Sequence, residues 1–241
     1  MHAPDAATLL NVWERGLQMP LQRNAIALLA AALSGQTREQ IAALPIGRRD
    51  GLLLRLRELL FGSDIAAVAN CPKCGERLEA GFPIARIQVA SIGPGPEAIE
   101  YEALAFRLPA TEDLLAVPQD AAPEAGRRIL LTRCLVKHGD PNQPAISCEQ
   151  LTDANITEIA QKMADADPQA DVELSLNCSA CAHSFSAAFD IAAFLWSEVN
   201  EWARQALFDV DALARAYGWS EASILGMSPQ RRQIYLDMAR R

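Results

Sequence analysis

Residues 65–84 read IAAVANCPKCGERLEAGFPI, and residues 172–191 read VELSLNCSACAHSFSAAFDI. Each sets a Cys-x-x-Cys pair between two stretches of strand character. Pro72 and Gly75 are turn residues that break a helix, so the first stretch predicts a short strand, a tight Cys-Pro-Lys-Cys-Gly turn and a returning strand. The second repeats that layout: Val172, Leu174 and Leu176 alternate ahead of the cysteines, and Phe185 and Phe189 follow them. Two such knuckles are the halves of a zinc ribbon. Cys71, Cys74, Cys178 and Cys181 are therefore the expected ligands of one structural zinc ion (Zn2+).

The spacer between the pairs is far longer than in most such sites, so energetics matter. Closing so long a loop costs roughly 4 to 5 kcal/mol by analogy with a disulfide. Apparent zinc binding at structural sites is worth about 10 to 16 kcal/mol and offsets that cost. Redox chemistry would instead place Cys-x-x-Cys at a helix N-terminus, where the dipole lowers the first thiol's pKa. A nucleobase deaminase needs Pro-Cys-x-x-Cys and a His-x-Glu. The chain has Cys-Pro-Lys-Cys and no His-x-Glu. Four cysteines fill a tetrahedral ion and leave no position for water, so the site reads as structural and the protein as no enzyme. His183, two residues past Cys181, is a further ligand candidate, set against its reading as a solvated knuckle position. His2 and His138 have no acid or nucleophile beside them in sequence. Cys134, inside ILLTRCLV, reads as a small buried apolar residue, and Cys148 as incidental.

The rest of the chain is helical in pattern. Leu9, Leu10, Trp13 and Leu17 recur at helical spacing before Pro20 stops them, and a nearly all-apolar helix follows from about Leu21 to Leu33. In GRRDGLLLRLRELLFG, residues 47–62, the spacing sets Leu52, Leu53, Leu56, Leu59 and Leu60 opposite Arg55, Arg57 and Glu58, with Gly62 past the helix end. Arg48, Arg49, Arg55 and Arg57 then read as a solvated basic face. YEALAFRLP predicts a strand, TEDLLAV a helix start with Thr111 as cap and Asp113 in the first turn, and LTDANITEIAQKMADADP a helix capped by Thr152 or Asp153 and stopped at Pro168. From Asp190 towards Gly218, Leu195, Val199, Trp202, Ala206, Val210, Leu213 and Tyr217 form one apolar stripe, with room for a bend near Phe208 and Asp209. Two short helices follow, the last capped by Ser228 with Pro229 at its first position. The fold class is thus mainly α with a small β zinc ribbon, split four-cysteine zinc knuckles enclosing a mostly helical insert. Its expected parts are an N-terminal helical region (1–65), the split ribbon (66–90 plus 171–190), the insert (91–170) and a C-terminal helical region (191–241).

Half of the 241 residues are apolar, enough to bury a core, and the net charge is −8. An acidic balance disfavours nucleic acid and anionic membranes and favours a protein partner. No apolar run approaches a membrane span, and MHAPDAATLLNVWERG has no basic region followed by an apolar stretch, which makes the cytoplasm the expected location.

The order of WERGL (13–17), RNAIALLAAAL (23–33) and GRRDGLLLRLRELLFG leading into CPKCGERLE (71–79) resembles the baseplate-assembly proteins of contractile phage tails. FRLPATEDLLAV (106–117), CSACAHSFSAAFDIAAFLWSEV (178–199) and AYGWSEASILGMSPQRRQIYL (216–236) look like the later segments of the T-even-type baseplate hub assembly family, which also occurs in phage-tail-like contractile injection systems. The resemblance implies a non-enzymatic assembly chaperone or minor component, partnered by baseplate or hub proteins in the producing cell and associated with the particle. Of the family's residues only the four cysteines map cleanly. The alternative reading is a zinc-ribbon regulator that binds nucleic acid, which requires a compact basic surface despite the net charge.

Overall fold

The structure is a computed structural model that describes residues 1–89, 98–102, 104–136 and 151–239. It is 57% helical with small sheets, so the mainly α expectation holds. The chain divides into two compact units, residues 1–36 with 191–241, and residues 37–190.

The first unit is all helix: α1 (Ala6–Gly16), α2 (Leu21–Ala32), α8 (Ile191–Tyr217), α9 (Glu221–Leu225) and α10 (Pro229–Ala239). Asp5 caps α1 by accepting the Thr8 N–H at 2.7 Å. The α8 stripe buries Leu195, Val199, Ala203, Ala206 and Leu213, and the helix runs through Phe208 and Asp209 without interruption. Leu10 packs with Ala203, Ala206 and Leu225, flanked by Trp13 and Trp202, and the Trp13 indole donates to Asn200 Oδ1 at 3.0 Å. Leu213, Ile224 and Leu236 form a second cluster, against which Trp219 and Tyr235 lie. The half-buried tryptophans thus serve the core, each aromatic ring removing a large apolar area from water. Ser228 Oγ accepts the Arg231 N–H at 3.3 Å, as its capping position predicts.

The second unit contains α3 (Arg38–Ala42), α4 (Ile46–Phe61), a hairpin of β1 (Asp64–Asn70) and β2 (Arg77–Pro83), and a sheet of β3 (Ile99–Tyr101), β4 (Leu104–Phe106) and β5 (Leu135–Val136). It continues with α5 (Thr111–Leu115), α6 (Pro123–Cys134), α7 (Asp153–Ala166) and a hairpin of β6 (Glu173–Asn177) and β7 (Ser184–Ala188). Its core sets Ile99, Tyr101, Leu104 and Phe106 of the small sheet against Leu131 and Cys134 of α6 and Ile156, Ile159 and Met163 of α7. Thr152 caps α7, and Gly62 closes α4.

Three local expectations are corrected. YEALAF is two strands, because the chain reverses at Glu102, whose φ is 52°, and Tyr101 pairs with Leu104. Thr111 is not the cap but the first residue of α5. It is fully buried, and its hydroxyl accepts a hydrogen bond from Arg49 Nη1 at 3.2 Å. The N-cap is Ala110, whose N–H donates to the Asp113 carboxylate at 2.9 Å; that carboxylate also accepts from Arg107 at 2.6 and 2.9 Å and from Arg133 at 3.1 Å. Burial raises the Asp113 carboxyl, and these donors outweigh burial and hold it below the usual range. Lastly, Arg49 and Arg57 are not solvated: they are only 4% and 3% exposed. Arg49 pairs with Asp50 at 2.7 Å, and Arg57 donates to the Gly62 carbonyl at 2.8 Å, so each buried cation meets polar partners. The buried leucines of α4 are Leu53, Leu54 and Leu56, while Leu59 is exposed.

Candidate metal centre

The two hairpins position the cysteines. β1 and β2 pair antiparallel down to Asn70 with Arg77, and β6 and β7 down to Asn177 with Ser184. Beyond those pairs the two turns make the same hydrogen bonds. Cys71 N–H reaches Glu76 O at 2.8 Å and Gly75 N–H reaches Cys71 O at 2.9 Å. In the second turn Cys178 N–H reaches His183 O and Ala182 N–H reaches Cys178 O, both at 2.9 Å. Each turn needs a left-handed residue just after its second cysteine. Gly75 supplies it at φ 77°, and Ala182 adopts it at φ 55° despite its Cβ.

This brings all four sulfurs within 4.8 Å of one another. Cys71 Sγ lies 3.7 Å from Cys181 Sγ, and Cys74 Sγ 3.6 Å from Cys178 Sγ. Those separations are far beyond a disulfide bond of about 2.05 Å. They match the sulfur spacing of about 3.8 Å around a tetrahedral ion with metal–sulfur bonds of about 2.3 Å. The donor set therefore fits a four-coordinate, thiolate-bound metal. Among the described residues this is the one group of three or more Cys, His, Asp or Glu side chains placed to share an ion. Cys71 and Cys178, the first cysteine of each turn, are buried; Cys74 is exposed and Cys181 partly so.

The thiols hold their protons unequally. Burial raises Cys71, but the N–H groups of Cys74 and Lys73 and the neighbouring thiols outweigh it and bring it down to about 7. For Cys74, the Glu76 N–H and the Cys181 thiol lower the pKa; burial and the thiols of Cys178 and Cys71 prevail and raise it. At Cys181 the His183 N–H lowers the pKa, while burial and the other three sulfurs push it up to about 12. The first thiolate is welcomed and further ones repel each other. A bound dication removes that repulsion, so metal uptake displaces protons.

His183 contributes its carbonyl to the turn, while its ring stacks on Phe185 with 6.1 Å between centroids, outside the sulfur cluster. Cys134 is buried in the core of α6 and α7, His2 is exposed at the chain's start, and Cys148 and His138 lie outside the described residues. Sequence reasoning missed one contact that helps join the hairpins. Phe82 and Phe189 meet edge to face with 6.0 Å between centroids, an arrangement worth about 0.5–1.5 kcal/mol beyond the area it buries.

A family model described as T4 bacteriophage base plate protein matches residues 17–137, half of the chain. The chain belongs to that family. The match takes in α2 to α6 and the first cysteine pair of this baseplate-family protein and ends before the second pair. Neither the curated proteins nor the solved structures give a match. The family relation links the chain to other baseplate components. Among the described residues no helix is long and apolar enough to cross a membrane.

Proposed function

We propose that this baseplate-family chain is a non-enzymatic assembly factor or minor structural component of the baseplate or hub of a contractile phage tail or phage-tail-like particle. It acts by protein–protein binding. Family membership over residues 17–137 carries this reading, and the acidic net charge of −8 supports a protein partner over nucleic acid. In the same reading the four cysteines hold one structural zinc, each hairpin being half of a split zinc ribbon. Four sulfurs at tetrahedral spacing support it, since they complete the ion's coordination. The zinc then holds together the two ends of a segment whose joined cysteines stand up to 110 residues apart.

Co-purification tests the role. A tagged chain, expressed with the other tail proteins of its particle, is expected to retain an identified baseplate or hub protein. Consistent recovery of the chain alone rejects the role. Elemental analysis tests the metal, one zinc per chain being the expected result.

A further inference from the structure

Phe208 is 70% exposed, more than any other large apolar side chain among the described residues, and it sits within the longest helix, α8. Its ring joins neither core cluster of the helical unit. The residues around it form a pattern that reverses sign. Glu201 stands seven positions before Phe208 and Arg215 seven after; Arg204 lies four before and Asp211 three after. Gln205 and Ala212 complete this face, and all six are exposed. At 3.6 residues per turn, Glu201, Phe208 and Arg215 follow one line along the helix, with Arg204 and Asp211 on one side of it and Gln205 and Ala212 on the other. Arg215 pairs with Asp211 at 2.8 Å, while the side chains of Glu201 and Arg204 have no ion-pair partner among the described residues. A groove between α8 and α10, lined by Phe208, Ala212, Leu236 and Ala239, extends the apolar area on one flank.

A two-fold axis through Phe208 lays this face antiparallel on its own copy. It sets Phe208 on Phe208, Glu201 against Arg215 and Arg204 against Asp211, each charged pair occurring twice. Every charge then meets its opposite, and the small Ala212 leaves room for Gln205 of the other copy. A parallel alignment would instead stack like charge on like. We infer that α8 is a self-association surface whose occupant is a second copy of this chain, docked antiparallel with Phe208 on the two-fold axis. Burial of the two rings and of the groove residues supplies the attraction. The ion pairs, weak one by one at an exposed rim, select the antiparallel register. A face one helix wide makes a small interface, so the dimer exchanges with monomer. The surface involves no cysteine, and the inference stands apart from both the metal reading and the baseplate role.

Light scattering on the full chain tests this. The wild-type mass should rise from one chain towards two with concentration over the micromolar range, and this measurement needs no variant to fold. Glu201→Arg alone and Arg215→Glu alone each put like charges opposite twice, and each should dimerise at least about tenfold more weakly. Mixed in equal amounts they should associate again as one chain of each, because both cross-pairs are then of opposite sign. Phe208→Ala should weaken the dimer by at least about tenfold as well. Circular dichroism checks that each variant keeps the wild-type helix content. A wild type that stays monomeric at every concentration overturns the inference and assigns the stripe to a different protein. A dimer that Phe208→Ala leaves as strong as wild type, or a mixture that associates no better than either charge variant alone, overturns it too.

Discussion

The Asp167 carboxylate accepts the backbone N–H of Gly47 at 2.8 Å. Gly47 is the second residue of α4, and Pro45, which precedes that helix, makes no side-chain cap. A residue 120 positions away therefore satisfies one of the N–H groups that every helix start leaves open. The approach leaves no space for a side chain, because a Cβ on Gly47 would overlap the Asp167 carboxylate and stand 2.9 Å from the Ala170 nitrogen. Gly47→Ala is expected to cost about 2–3 kcal/mol, by loss of the cap and local overpacking. Urea unfolding gives the value, and a midpoint unchanged from wild type would refute the account.

Asp50, three residues on, gives the stability a pH dependence. Burial raises its carboxyl to about 6 against the pull of Arg49, with Asp190 and Asp167 adding repulsion, and burial raises Asp167 too. The folded chain therefore holds a proton that the unfolded chain, with an aspartate pKa of about 3.9, has released. This stabilisation is fully present below about pH 4 and is lost as the pH rises through about 6. Between pH 5 and 7 the Asp50 share of the loss is roughly 1 kcal/mol. Asp50→Asn should flatten the slope of urea midpoints over that interval, and an unaltered slope would assign the pH dependence elsewhere.

The two cysteine turns offer a matched pair of substitutions. Ala182 sits at φ 55° where Gly75 sits at φ 77°, and nothing stands within 4 Å of a Cβ built on Gly75. The effect at Gly75 is then one of backbone preference alone, and Ala182 is exposed. Ala182→Gly should stabilise the metal-loaded protein by about 0.5–1 kcal/mol, and Gly75→Ala should destabilise it by about 1 kcal/mol. Thermal midpoints of the two variants should move in opposite directions.

Asp113 joins Arg107, Arg133 and the Ala110 N–H in one network. Asp113→Ala removes the acceptor for all three and should cost about 2–4 kcal/mol; water reaches the partly exposed arginines and keeps the loss below that of a fully buried pair. Arg133→Met, which leaves Arg107 in place, should cost under about 1 kcal/mol. Equal losses in denaturant unfolding would contradict this ordering.

For the proposed zinc, chelation should lower the thermal midpoint by several degrees and re-addition should restore it, because binding energy is folding energy. Cys71→Ser and Cys178→Ser, at the buried positions, should impair metal retention more than Cys74→Ser at the exposed one. Elemental analysis after dialysis ranks the three.

The hairpins were legible in the sequence because their signals are local: turn residues inside Cys-x-x-Cys, and alternation on either side. The same holds for the caps at Thr152 and Ser228, each read from a few neighbouring residues. What escaped notice depends on residues distant in sequence. Arg49 and Arg57 lie on the polar side of α4 taken alone, and only Asp50, Thr111 and the turn at Gly62 make their burial tolerable. Asp167 carries no mark of the helix it caps. Phe82 and Phe189 are a different case. Their equivalence was written in the constant offset between the repeats, and comparing the two hairpins residue by residue would have exposed it.

The discontinuity of both units also sets a timetable for the newborn chain. At about 5–20 residues per second, the ribosome needs on the order of 5–20 s after delivering Cys71 to deliver Cys181, 110 positions later. The second unit cannot fasten before then. The apolar faces of α1 and α2 wait longer still, since the rest of their unit begins at Ile191. Through that interval α1 and α2 lack the rest of their unit, so a holding factor bound near residues 6–32 should raise the yield of folded protein.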